Sequence, residues 1–441
     1  MRFQYYFFAI GIFITVSLHA ADYSGSPENY RQLLGNLKPG DKLVLQPGEY
    51  RAGLPVHHLV GTDTSPIVIT GSDTEPKPVF TARAGHNTVS LLDSAHVVIR
   101  RLILDGKGLP VDAVKAEGHS HWTHHIVLEN LEIRGHGYDQ QTVGISTKCP
   151  SWSWIIRDNI ISGAGTGVYL GDSDGDKPFV SGLIEYNLIY DSIGYDLQIK
   201  HQKKWPAIPE LEKQAGGNAI IRHNVFSKAQ RGSIDMARPN VLIGHQPRNG
   251  PGANGTYLIY GNIFYDNPTE ALLQGEGNIA LYNNLFINPH GDAIRIQPHH
   301  DVPRNLDIFS NTVVASGAGI TIRNKIEVER FRQRVVGNAL FATPALNGAE
   351  PNGNIVDAYE AAGRYLISPF APVGALELFP RVDRLEIDEL DLLPFRHYQD
   401  WNRDFNGILR RGRFAGAYAG QGRNAGWRFQ LAPKPRPVDD R

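Results

Sequence analysis

Between residues 126 and 340 the chain writes one short pattern again and again: IVLENLEI (126–133), WIIRDNII (154–161), LIEYNLIY (183–190), AIIRHNVF (219–226), YLIYGNIF (257–264), IALYNNLF (279–286), LDIFSNTV (306–313) and RVVGNAL (334–340). Each copy is a short apolar, β-branched strand, an asparagine, and a second short apolar strand. The asparagines fall at Asn130, Asn159, Asn187, Asn224, Asn262, Asn284, Asn311 and Asn338, at spacings of 29, 28, 37, 38, 22, 27 and 27. Internal repetition constrains architecture more than any other feature, because each unit must bury its apolar face on the next. A leucine-rich repeat would need a fixed leucine framework, which is absent, and a propeller would need four strands per period.

A coil of about 22 residues carrying insertions generates this series, so the expected fold class is all-β, a right-handed parallel β-helix. In that fold the asparagines should stand in one row from Asn130 to Asn338, each taking a left-handed corner and bonding the next amide. Their role is structural. Open ends of a solenoid expose strand edges and core, so caps are required. Tyr30, Leu33, Leu34 and Leu37 keep helical spacing within 27–37 and supply a short N-terminal helical cap. The stretch PGDKLVLQPGEY (39–50) and then PIVI (66–69) resembles the opening of secreted β-helix lyases, and HVVIRRLIL (96–104) continues the coil. Beyond Phe341 the pattern fades into a Pro-rich stretch with DFNG (404–407), Arg410 and GAY (416–418), similar to the tail of many bacterial right-handed β-helix proteins. The expected organisation is therefore a solenoid over 21–345 and an irregular C-terminal extension over 346–441 that packs on it. A separate small domain after 345 is the alternative.

Arg2 precedes an apolar run from Tyr5 to Leu18 ending in Ala20 and Ala21, the form of a secretory signal peptide over 1–20. The run is short for a bilayer span and polar residues follow at once, which argues against a retained anchor. The expectation is a secreted or periplasmic monomer with no membrane contact after cleavage. Cys149 is the single cysteine, so no internal disulfide is possible, and it reads as a small buried residue. Forty-six glycines and eighteen tyrosines, without Ala/Leu/Glu/Lys-rich stretches, suit strands and turns. The net charge of -1 says nothing about partners.

In a parallel β-helix, alternate side chains point outward and equivalent positions stack about 4.8 Å apart into columns. Taking Val168 and Leu170, Leu197 and Ile199, Ile234 and Met236, Ile294 and Ile296, and Ile320 and Ile322 as inward pairs turns a polar strip outward. It comprises Tyr169; Asp196, Gln198 and Lys200; Asp235 and Arg238; Gln274 and Glu276; Arg295, Gln297 and His299; and Thr321 and Arg323. Such a strip reads as a substrate groove. The two longest coils place their extra residues at 201–218 and 244–256, where loops would wall the groove. There Trp205 could stack on a sugar ring, while His245, Arg248 and Asn249 could bind hydroxyls or a carboxylate. Between Tyr195 and Gly250, nine lysines and arginines face four acids, a local excess of +5 that favours a polyanion. For an exported protein that partner is an acidic polysaccharide and not nucleic acid.

GYDLQIKH (194–201), NAIIRHNVF (218–226) and GSIDMAR (232–238) together resemble the central coils of the alginate lyase and chondroitinase B family, within the pectate-lyase-like β-helices. In that family a lysine ends one strand, an Asn-x-Phe corner follows, and an arginine ends the next strand. The resemblance implies that Lys200 is the base of a β-elimination on a uronate polysaccharide and that Arg238 supports it. Arg238, Lys203 and Lys204 would lower the Lys200 pKa by like-charge repulsion, and Tyr195 or His201 would donate a proton to the departing oxygen. The family's paired glutamates, which hold calcium, are absent here; Tyr195, Asp196 and Gln198 occupy that region.

A Ca²⁺ ion could instead use the alternating carboxylates Asp172, Asp174 and Asp176 in GDSDGD (171–176), which lacks the closing glutamate of an EF-hand loop and reads equally as a solvated turn. His119, His121, His124 and His125 sit in a turn before a core strand without a metal-ligand helix, and the expectation is no zinc site. Three alternatives to the lyase stay open. A glycoside hydrolase would use Asp196 and Asp235, although the paired aspartates of β-helix polygalacturonases are missing. A C5-epimerase would share the lyase's proton abstraction, and a noncatalytic carbohydrate-binding or assembly module would need no acid or base.

Overall fold

The computed structural model describes residues 20–118, 120–214, 216–231, 237–324, 330–351, 353–388, 390–411 and 413–436. The apolar run that reads as a signal peptide, His119 and Asp235 lie outside the described residues. None of the described helices is long and apolar enough to cross a membrane.

Each coil visits three sheets in turn. Lys42–Leu45 lies in sheet 1, Glu49–Tyr50 in sheet 2 and Leu54–His57 in sheet 3, after which Ile67–Gly71 returns to sheet 1 in parallel register with Lys42–Leu45. Repetition of this path builds parallel sheets of 14, 12 and 11 strands among the described residues. The chain is a parallel β-helix. Its strands are short because each must end where the coil turns, and side chains at equivalent positions stack like on like: Phe226, Phe264 and Phe286 lie 5.3 and 4.4 Å apart, centroid to centroid. The interior is a continuous aliphatic column from Leu43 to Ile322 and beyond, an arrangement that lets one core lengthen without growing wider.

The asparagine row stands at the corner between sheets 1 and 2. Asn159 Nδ2 donates to Asn187 Oδ1 at 2.9 Å, and the same bond links Asn187 to Asn224, Asn224 to Asn262, Asn262 to Asn284, Asn284 to Asn311 and Asn311 to Asn338. The row continues to Asn354, which the repeat pattern does not reveal. Two details differ from expectation. The left-handed backbone belongs to the residue before each asparagine, such as Asp158 (φ 57°), His223 (φ 57°) and Gly261 (φ 65°). Asn130 is itself that left-handed residue (φ 52°) and is exposed, and Leu131 takes the row position, its N–H donating to Asn159 Oδ1.

The N-terminal helix is shorter than its periodicity suggests, Tyr30–Leu34, and it closes the coil by laying Tyr30 edge-on against Tyr50 and Phe80. At the other end Leu346–Asn347 and Ile355–Asp357 still pair with sheets 3 and 2, so the coil runs to Asp357. The remaining chain covers the outer face of sheet 2, where Phe379, Phe405, Tyr418 and Phe429 bury Val225, Ile263, Leu285 and Val314. It also crosses sheet 1, with Phe395 stacked on Phe309 at 4.0 Å. Sheet 3 is left to face solvent.

Candidate functional site

Sheet 3 carries one outward column, Ser146, Tyr169, Gln198, Leu242, Gln274, Arg295 and Thr321, in register on successive coils. A second column stands just past the strand ends. Lys200, Gly244, Glu276, Gln297 and Arg323 follow the pairing of Leu170, Ile199, Ile243, Gly275 and Ile296, to whose carbonyls their N–H groups donate. Midway along the solenoid these columns border a cleft of about 210 Å³, lined by Tyr195, Gln198, Lys200, His201, Arg238, Gln274, Glu276, Gln297, His299 and His300, with Leu242 and Pro239 beneath. All four residues expected to act in catalysis, Tyr195, Lys200, His201 and Arg238, therefore meet in one place.

Local sequence explains how Lys200 is presented. Its column neighbours are Gly171 and Gly244, and a Cβ on Gly244 would fall 2.2 Å from the His201 backbone nitrogen. Glycine on both sides leaves the lysine side chain room to reach across the cleft. Among the described residues neither Lys200 nor Arg238 forms an ion pair. Burial lowers the Lys200 pKa, while Asp172 and Glu276 raise it in part. The direction is the expected one, but desolvation is its cause and not repulsion from Lys203, Lys204 or Arg238. Arg238 leans toward the Tyr195 ring, Cζ 5.6 Å from the centroid, and its buried Nε has no hydrogen-bond partner among the described residues.

Tyr195 is pushed up by burial and stays a phenol at neutral pH. His201 stacks on His300 at 3.8 Å and lies 5.5 Å from His245. Burial, with His300, His245 and the nearby lysines, brings its pKa down to about 4, so the ring is neutral near pH 7. A neutral imidazole is a poorer proton donor than an imidazolium. Glu276 is the cleft's one carboxylate among the described residues, and its Oε2 accepts the N–H groups of His299, His300 and Asp301 at 2.8–2.9 Å.

Several expected contributors stand elsewhere. Ile234 and Met236 lie outside the described residues; the strand that pairs with Leu197–Ile199 is Val241–Ile243, and Arg238 stands just before it. Asp196 is fully buried beneath the cleft, its pKa raised by burial and opposed by Lys228, and it touches no solvent. Trp205 is buried with Trp152, Val180 and Leu211, its Nε1–H bonded to Gln202 at 2.7 Å, and it presents no face to a sugar. His245 is buried behind His201 with Nδ1 on the Gln246 carbonyl. Arg248 braces the 299–301 turn through the His300 carbonyl and Asp301. Arg295 is neutralised by Glu270 and Asp292, both at 2.7 Å, and Arg323 is exposed beyond the cleft. The positive excess is correspondingly reduced: Arg222 pairs with Glu185 on sheet 1 and Lys228 is buried. His300 went unnoticed, although its neighbour His299 had been assigned to the groove.

The donor set of the cleft is poor for calcium: among the described residues it holds one carboxylate, Glu276, whose Oε2 already accepts three backbone N–H groups, and the other side-chain oxygens are amides and the Tyr195 phenol. In the 171–176 turn, Asp172 Oδ1 accepts the N–H groups of Asp176 and Lys177. The oxygens of Asp172, Asp174 and Asp176 do not all come within 4.8 Å of one another.

A family model described as right handed beta helix region matches residues 143–338. Among solved structures, the PL6 family alginate lyase AlyGC gives a TM-score of 0.50 at 13% identity, over 76% of this chain and 51% of that one. This chain thus spans about half the length of that protein. The A-module of the Azotobacter vinelandii mannuronan C-5 epimerase AlgE4 gives 0.39 at 16% identity, over 73% and 89% of the two chains. The GH136 lacto-N-biosidase from Eubacterium ramulus gives 0.41 at 14%, over 69% and 68%. No curated protein matches the chain in sequence. The family match, with the AlyGC superposition, identifies the fold as a right-handed parallel β-helix.

Proposed function

We propose that this protein is a polysaccharide lyase that cleaves an acidic, uronate-containing chain by β-elimination, with Lys200 as base. The observation that carries this reading is the meeting of Lys200, Arg238 and Tyr195 in one solvent-open cleft, with both cations unpaired among the described residues. A uronate carboxylate would lie against Arg238, whose fixed charge stabilises the enolate-like anion that forms as the α-proton leaves. Lys200, depressed by burial, takes that proton as the neutral amine and becomes the ammonium. The C4–O bond breaks, a C4–C5 double bond forms, and the Tyr195 hydroxyl gives its proton to the departing oxygen. Proton return from Lys200 to Tyr195 through solvent resets the site. Gln198, Gln274 and Gln297 offer hydrogen bonds to sugar hydroxyls along the column, and His299 flanks them.

The hydrolase alternative is weakened by one observation: Asp196 is fully buried, so it cannot flank a scissile bond with Asp235. The test is incubation with alginate, pectate and glycosaminoglycans, followed by the ultraviolet absorbance of the unsaturated uronate. Lys200→Ala and Arg238→Ala should each lower kcat/KM by about 100-fold or more. Full activity in Lys200→Ala refutes the choice of base. Reducing ends without the absorbance would establish a hydrolase, and a changed uronate configuration without cleavage an epimerase. Secretion fits a polymeric extracellular substrate, and a monomer suffices because the cleft is built from a single chain.

A further inference from the structure

A second constellation lies on the same edge of the solenoid, three coils nearer the N-terminus. We propose that His96, His124 and His125 form a binding site for a divalent transition-metal ion of the zinc or copper class. The three imidazoles come from two adjacent coils, His96 at the start of strand Ala95–Arg100 and the other two at the start of Thr123–Glu129. One ring nitrogen of each lies within 4.8 Å of the others, and His124 Nδ1 is 2.8 Å from His125 Nδ1. Two nitrogens held at 2.0–2.1 Å by one ion stand about 2.9–3.4 Å apart, so a small ring rotation admits the metal in place of the shared proton.

The backbone makes this convergence possible. Successive side chains of an extended strand point to opposite faces, which would keep His124 and His125 apart. Here His125 is left-handed (φ 52°), and so is His96 directly across from it (φ 53°). The bend swings His125 back toward its neighbour and stacks it on His96 at 4.3 Å and 13°; imidazole lone pairs lie in the ring plane, so His96 must rotate out of this stack to meet the ion. His124 is fixed from its other side by Trp152, stacked at 4.5 Å and 11°. The rings are partly exposed, so an ion can enter from solvent. Burial holds all three below the usual imidazole range, leaving lone pairs available at neutral pH, and the Asp63 carboxylate acts on His96 and His125. Imidazole suits zinc, copper and nickel and not calcium. The sequence offers no ligand helix around His124 and His125; stacking of coils supplies the third ligand from 28 residues upstream of His124.

With three coil spacings of about 4.8 Å to His124 and His125 and four to His96, the site stands roughly 14–19 Å from Lys200 along the solenoid axis and is distinct from the cleft. It ties two coils together, so metal should stabilise the fold and leave the cleft chemistry intact. The test is calorimetric titration of chelator-treated full-length protein with ZnCl₂ and, separately, CuCl₂. One equivalent should bind at micromolar Kd or tighter, with a rise in Tm. His96→Asn and His125→Asn keep residues that accept a left-handed backbone and should weaken binding at least about 10-fold. Cu²⁺ should also quench the Trp152 component of the fluorescence in otherwise unaltered protein, a signal that Trp152→Phe removes. Absence of binding, or affinity unchanged in the His96→Asn/His125→Asn double variant, overturns the proposal.

Discussion

Replacing Asn262 by alanine tests the physical basis of the repeat. Its side chain accepts the Asn224 N–H at 2.9 Å and the Asn224 Nδ2 at 3.0 Å, and donates to the Ile221 carbonyl at 2.8 Å and to Asn284 Oδ1 at 3.0 Å. All of these groups are buried, so water cannot replace the lost partner. At about 1 kcal/mol net per hydrogen bond, and more for each donor left orphaned, the variant should lose about 4 kcal/mol. Asn130 provides the control, for it occupies the same place in the written pattern yet is exposed and, among the described residues, its side chain accepts one bond, from Lys77. Asn130→Gly, which accepts the left-handed backbone there, should change stability by about 1 kcal/mol or less. Urea unfolding followed by far-ultraviolet circular dichroism measures both. Equal losses in the two variants would refute the assignment of stability to the buried amide row.

Trp205→Ala should cost about 3 kcal/mol by opening the Trp152, Val180 and Leu211 cluster, while KM on the best substrate shifts less than about twofold; a ten-fold rise in KM would restore a sugar-stacking role. For His201 and His124, both brought down to about 4 mainly by burial, the unfolded chain binds protons first as pH falls below about 6.5. Stability is then complete above that value and declines toward pH 4. Urea midpoints measured from pH 7.5 to 5 should show a fall that the double His124→Phe/His201→Phe variant reduces, and an unchanged slope would contradict the burial argument. In the proposed mechanism Lys200 acts deprotonated, so kcat/KM should rise with pH and level off below the ordinary lysine range; a limb at or above about 10.5 would show that burial does not tune it. Calcium titration should show no binding at Asp172, Asp174 and Asp176, and a calcium-selective chelator should leave activity unchanged; one equivalent bound and lost in the Asp172→Asn variant would overturn this.

Asn159, Asn187 and their successors declared the solenoid from sequence alone, because a corner that must be satisfied in every coil imposes the same residue on every coil. The cleft was legible in part for the same reason: Gln198 and Gln274 sit within short strands, Lys200 and Gln297 just past the ends of such strands, and stacking of the coils then places them together. Arg238 also lines the cleft, but it does so from the turn before Val241–Ile243, a placement that strand alternation does not give. What failed depended on burial. Asp196 precedes its strand and turns into the protein, and Trp205 folds under its own loop, outcomes set by neighbours on other coils. The pairing of His96 with His124 and His125 was likewise decided only by tertiary structure, where coils 28 residues apart in sequence lie one strand spacing apart in space.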